Sequence, residues 1–187
     1  MVTLVSIIQT AMLGYLLLAA NDQLSHVLAG TYAPIWTVLI IAMFFYIVAI
    51  WMLYARSMIM LRLIPTVVDD LVPFCLGVTQ ALAIFSITHQ QIAWFYFAVS
   101  LSSVVVLVGY TQLWRQLRLQ DNPENRLILE ALGTYPRYAN SLAIIYFAIF
   151  LSFGVMETLL KLNLLFLAFV VLAMFVWFFF SNYLATR

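Results

Sequence analysis

Charge is nearly absent from this chain. Eight Lys or Arg and seven Asp or Glu make up 8% of 187 residues, where a soluble domain carries about 25%. Hydrophobic residues make up 66%, and the mean hydropathy is +1.09. One core in water could not hide that much apolar surface, so the solvent for most of it is expected to be lipid. The net charge is +1 and no basic cluster occurs, which argues against a nucleic-acid partner.

Other scarcities narrow the chemistry. Cys75 is the single cysteine, so no intrachain disulfide, CxxC redox pair or zinc knuckle can form. It falls mid-run, where it reads as a small buried hydrophobe. The two histidines, His26 and His89, are too few and too badly placed for a bis-histidine haem stack, and as exposed loop residues they make a poor metal or pH-sensing pair. There is no Ser–His dyad, HExxH, phosphate-binding glycine loop or mid-span lysine. No enzymatic activity, cofactor or metal centre is expected.

What is present is six apolar runs, near positions 3–20, 34–56, 65–88, 91–114, 136–160 and 162–184. Each approaches the ~20 residues that cross ~30 Å of hydrocarbon as a helix. Continuous runs, rather than short alternating ones, exclude a β-barrel. The first resembles a signal-peptide core ending in Ala19-Ala20, but it lacks a basic start and is read as a span. A polar loop is expected from Asn21 to Ala33, and Pro34 suits a first helical turn. The expectation is an all-α polytopic bundle of six transmembrane helices, forming one domain over 1–187.

Basic residues orient it. Arg56 and Arg62 lie between runs two and three; Arg115, Arg118, Arg126 and Arg137 lie around the segment between runs four and five; Arg187 ends the sequence. Only Lys161 falls on the other side, so the positive-inside rule puts both termini in the cytoplasm. Trp51, Tyr54, Trp114 and Tyr183 would mark the inner interface, and Tyr32, Trp36 and Trp94 the outer one. The inner loop 115–135 reads as a short amphipathic surface helix, capped by Asn122 with Pro123 next and ended by Gly133. Leu127, Ile128, Ala131 and Leu132 share its apolar face, and Arg126 and Glu130 are spaced as an i,i+4 pair.

The chemistry-bearing stretch is Pro65 to Pro73. Asp69 and Asp70 stand at the head of an apolar run, where ionisable groups are costly. Pro73 has no N–H for the Asp69 carbonyl, so one turn offers two carboxylates and a freed carbonyl, all oxygen ligands for a hard cation. Asp69, Pro73, Gly77 and Gln80 share one side at helical spacing, with Thr66 and Asp70 flanking. Asp69 and Gln80 lie only about 20° apart around the helix and about 16 Å apart along it. Asp70 heads a different row, Phe74, Val78, Ala81 and Phe85, whose composition suits packing. A polar stripe facing lipid is unfavourable, so the Asp69 row should face helices or water.

In run five, Asn140, Ser141, Tyr146, Ser152, Gly154 and Glu157 are the polar positions, and Glu157 lies toward the outer end, four residues before Lys161. It reads either as a wet hairpin corner with Lys161 and Asn163 or as an outer vestibule charge. Ser100, Ser102 and Ser103 of run four suit close helix packing.

These features suggest a small channel or transporter for a cation or protons, with Asp69, Asp70, Pro73, Gln80 and Glu157 along the ion pathway. Its partners would be the lipid bilayer, the ion, and further copies of itself or other membrane proteins, in the plasma (inner) membrane. The alternative is a non-catalytic structural subunit of a larger membrane complex, suited by sparse polar content and 16% aromatics. The orientation has a direct test. A cysteine at Gln23 or Gln90 should react with an impermeant thiol reagent from outside, and one at Asn122 should not; the opposite pattern inverts the topology.

Overall fold

A computed structural model describes residues 2–29, 34–60, 67–119, 123 and 135–160. Among these the secondary structure is all helix: α1 (Val2–Leu28), α2 (Pro34–Met60), α3 (Val67–Thr88), α4 (Ile92–Leu119) and α5 (Tyr135–Leu160). Four contain stretches long and apolar enough to cross a membrane, namely Leu4–Gln23, Ile35–Met52, Leu71–Thr88 and Ile92–Leu119. In α5 the apolar stretch is shorter, Ala143–Thr158. The run expected at 162–184 and almost all of the amphipathic segment lie outside the described residues.

Helix ends differ from expectation where no strong breaker stands. α1 continues through Asn21, Asp22 and Gln23 to Leu28, because the first glycine or proline after them is Gly30. Ser25 Oγ donates to the Asp22 carbonyl at 2.6 Å, and the N–H of Ala29 to the Ser25 carbonyl at 3.1 Å. Gln23 is buried on the same α1 stripe as Val5, Gln9, Leu16 and Ala19. The exposed Asp22 is therefore the better labelling site on that side. α4 likewise runs past Trp114 to Leu119, taking in residues read as the start of the inner loop.

The turn between α3 and α4 matches expectation. Gln91 N donates to Ser86 O at 2.8 Å and Gln90 N to Ile87 O at 3.1 Å, the paired bonds of a Schellman C-cap. The capping residue, Gln90, takes φ 57°, where glycine is the usual occupant. Gln91 then opens α4 by accepting from Phe95 N at 3.1 Å.

α3 is the central strut, packed on α1, α2 and α4, while α4 also packs extensively on α5. Three glycines set how closely the helices approach. A Cβ on Gly77 would come within 2.6 Å of Ile8 Cγ2 on α1, one on Gly109 within 2.9 Å of Val72 Cγ1, and one on Gly154 within 2.8 Å of the Phe97 ring. Small residues at such crossings let dispersion contacts form in a solvent as apolar as the side chains. The core gathers Leu16, Leu39, Met43, Ile47, Ile84, Ile87, Phe95 and Phe150.

The tryptophans expected at the interfaces differ in exposure. Trp51 and Trp94 are exposed, but Trp36 is buried in this core and Trp114 packs with Leu117 in a smaller cluster. Both indoles are thus shielded by protein, Trp36 among residues of several helices and Trp114 beside Tyr110, Leu113 and Leu117 of its own helix.

The Gly77 contact generates a stability test. Gly77→Ala should lower stability by about 1–3 kcal/mol through overpacking, read by thermal unfolding in detergent. Ile8→Ala removes the opposing methyl, so the double variant should lose less than the two single losses combined. Strictly additive losses would contradict the close approach.

Candidate functional site

Helix α3 sorts the sequence-predicted residues onto two opposite sides. Pro73, Gly77 and Gln80 are buried, and Ile84 and Ile87 continue the same row into the core. Asp69 belongs to this row by helical register, in the first turn of α3; the side chains of Asp69 and Asp70 lie outside the described residues. The row that follows Asp70 is the exposed side of the helix: Phe74, Val78 and Phe85 all face outward, Phe74 being 60% exposed. Its apolar composition therefore matches lipid contact rather than packing within the bundle. The proline does not end the helix, since α3 runs continuously from Val67 past Pro73. It leaves only the Asp69 carbonyl without its usual N–H partner.

Contacts between helices fix depth. Val72 meets Gly109, so Gln80, eight residues on, is level with Leu101, eight residues back along α4. Ile8 meets Gly77, so Gln9 enters at almost the same level on α1. Tyr46 of α2 bonds to Ser102 at this level too. A buried polar layer therefore crosses four helices: Gln9, Tyr46, Thr79 and Gln80, and Ser100, Ser102 and Ser103.

Within the layer, hydroxyls and amides are treated differently. Thr79 Oγ1 donates to Leu76 O at 2.9 Å and Ser103 Oγ to Val99 O at 3.2 Å, both inside their own helices. Ser100 Oγ donates across to Phe147 O on α5 at 3.2 Å, and Tyr46 and Ser102 satisfy each other. Gln9 is 2% exposed and Gln80 0%. Both amide atoms of each lack a hydrogen-bond partner among the described residues. Ser100 and Ser103 are packing hydroxyls as expected, whereas Ser102 anchors a tyrosine.

Glu157 is not part of this layer. Phe97 meets Gly154, which puts Glu157 level with Trp94, near the His89–Gln91 turn and the far end of the bundle from Asp69. Its Oε2 is buried without a partner among the described residues, as is the Tyr96 hydroxyl. Glu157 lies close enough to act electrostatically on Tyr96. The Tyr96 ring stands edge-on to Phe153, at 5.5 Å between centroids. The expected corner partners Lys161 and Asn163 lie outside the described residues. The proposed pathway residues thus form a sequence in depth, with Asp69 at one end, Gln80 midway and Glu157 at the other, rather than one cluster.

No group of three or more His, Cys, Asp or Glu that could hold a metal occurs among the described residues. His89 is committed locally: its ring stacks on Phe85 at 3.9 Å, and Nδ1 lies 3.0 Å from the Phe85 carbonyl, to which it can only donate. His26 is exposed. Gln9, Tyr46 and Tyr96 were not singled out by sequence reasoning. Gln9 carried a usable signal, since a lone glutamine between Val5 and Leu16 on one helical stripe has to face the bundle.

The Tyr46–Ser102 bond has a measurable consequence. Tyr46→Phe and Ser102→Ala should each cost about 0.5–1.5 kcal/mol, and the double variant should cost little more than one of them because they share the bond. Thermal unfolding of the three variants in detergent gives the coupling, and additive losses would mean that the two groups do not interact. No protein-family model matches the chain, and no curated protein or solved structure matches it.

Proposed function

We propose that this chain is a small membrane channel or transporter for a cation or protons. It has six spans with both termini cytoplasmic, and works as a homo-oligomer in the plasma (inner) membrane. The observation that carries the reading is the α3 row from Pro73 to Gln80, which faces the bundle interior and ends on an amide with both polar atoms unpartnered among the described residues. A polar row buried only for packing would have its groups paired, as the neighbouring hydroxyls are.

In this reading Asp69 concentrates cations at the cytoplasmic mouth. The Asp69 carbonyl freed by Pro73 accepts the ion or its leading water as hydration is shed. Gln80 is the polar station midway, and Glu157 supplies negative charge at the outer mouth. Asp70, one residue and about 100° away, heads the lipid-facing row and contributes to the field rather than the path.

The two aspartates separate the roles. Purified wild-type protein in liposomes should pass protons or a monovalent cation. Asp69→Asn should reduce that flux about tenfold, the equivalent of 1.4 kcal/mol, with folded yield retained, while Asp70→Asn should leave it within about twofold. Equal and near-wild-type flux from both would make them helix-start anions. A chain that passes nothing and purifies stably only with partner proteins would instead be a structural subunit.

A further inference from the structure

Two glutamines in this bundle are buried without a hydrogen-bond partner among the described residues. Gln9 and Gln80 are among its most deeply buried side chains, at 2% and 0% exposure, and all four of their amide atoms lack protein partners among the described residues. They stand beside the same contact. Gln9 follows Ile8, the residue on α1 that meets Gly77, and Gln80 lies three residues beyond Gly77, about 4.5 Å of helical rise. Their neighbours Thr79 and Ser103 close their hydrogen bonds on carbonyls of their own helices. The polar capacity left over at this level is therefore that of the two amides.

We infer that Gln9 and Gln80 form a mid-membrane site for water, or for an uncharged solute of water's size that both donates and accepts hydrogen bonds. The chemistry of the lining selects that class. Each amide offers two donors and one acceptor oxygen, so a bare cation could satisfy the oxygens only, leaving the Nε2 groups buried and directed at positive charge. Among the described residues no carboxylate, histidine, lysine or arginine stands at this level to compensate. Water satisfies both ends of an amide, and buried water characteristically bridges about three otherwise unpaired polar groups. The site stands independently of conduction. Its consequence rests on the channel reading: the species carried past the middle of the membrane is the proton, handed along water, and not a metal cation.

Single cysteines at positions 9 and 80, made in a Cys75→Ala background, test the site by reaction with a small methanethiosulfonate reagent, which requires a hydrated thiolate. Gln9→Cys and Gln80→Cys should react at least tenfold faster than Ile84→Cys, which is equally buried on α3 but surrounded by apolar side chains. Rates no faster than that of Ile84→Cys would overturn the site. A measurement on the native side chains guards against a variant that fails to fold. The glutamine amide infrared band of wild type, taken as the difference from Gln9→Met/Gln80→Met, should shift within minutes of transfer to D2O, and protection for hours would overturn it. In liposomes, proton flux without potassium flux supports the proton assignment, and potassium flux comparable to proton flux overturns it. Reactive cysteines in a protein that passes nothing would keep the hydrated site and remove the channel reading; flux with unreactive cysteines would do the reverse.

Discussion

Hydrocarbon offers no hydrogen-bond partner, and that constraint governs the arrangement of polar atoms in this protein. Backbone groups within the helices pair i to i−4, with the Asp69 carbonyl opposite Pro73 as the exception on α3. Serine and threonine hydroxyls return to carbonyls, as in Thr79, Ser86, Ser103, Thr111 and Ser152, or reach a second helix, as in Ser100, whereas the buried Tyr96 hydroxyl has no partner among the described residues. Even the reversal between α3 and α4 closes its own bonds, at the expense of a glutamine in the left-handed region. Against such economy, a fully buried amide with neither atom paired among the described residues is conspicuous. Each such group costs about 1–3 kcal/mol by mutational measures, which a fold under no other demand would avoid by placing leucine there.

Helix α3 carries most of the consequences. Its exposed side is Phe74, Val78, Leu82 and Phe85; its inner side is Pro73, Leu76, Gly77, Gln80, Ala83, Ile84 and Ile87. Gly77 lets α1 come close, and Val72 takes the corresponding contact with Gly109 of α4. The same close approaches that make the bundle compact bring Gln9, Gln80 and the Tyr46–Ser102 pair to one level. Packing and placement of the polar layer are thus a single structural fact.

Much of this was legible from residue order, and the failures have physical causes. The helical class, the positions of the first five apolar runs and the His89–Gln91 turn follow from run length and from the polar residues between runs. The inward facing of Pro73, Gly77 and Gln80 follows from the cost of showing polar atoms to lipid. Helix ends were less legible, because Asn21 and Asp22 interrupt hydropathy without interrupting helix geometry. The burial of Trp36 and Trp114 was not legible, because interfacial position and core packing favour the same indole. The partnership of Tyr46 with Ser102, 56 residues apart in the chain, could not be read at all, since no local pattern encodes which helices become neighbours.

If the unpaired amides are kept for what passes between the helices and not for the fold, stability and activity should move in opposite directions when they are removed. The most direct measurement is Gln9→Leu/Gln80→Leu, with thermal unfolding in detergent and proton flux in liposomes taken on the same preparation. The account predicts a protein at least as stable as wild type that has lost most of its flux. A destabilised protein that still conducts like wild type would contradict it, because the glutamines would then be serving the fold.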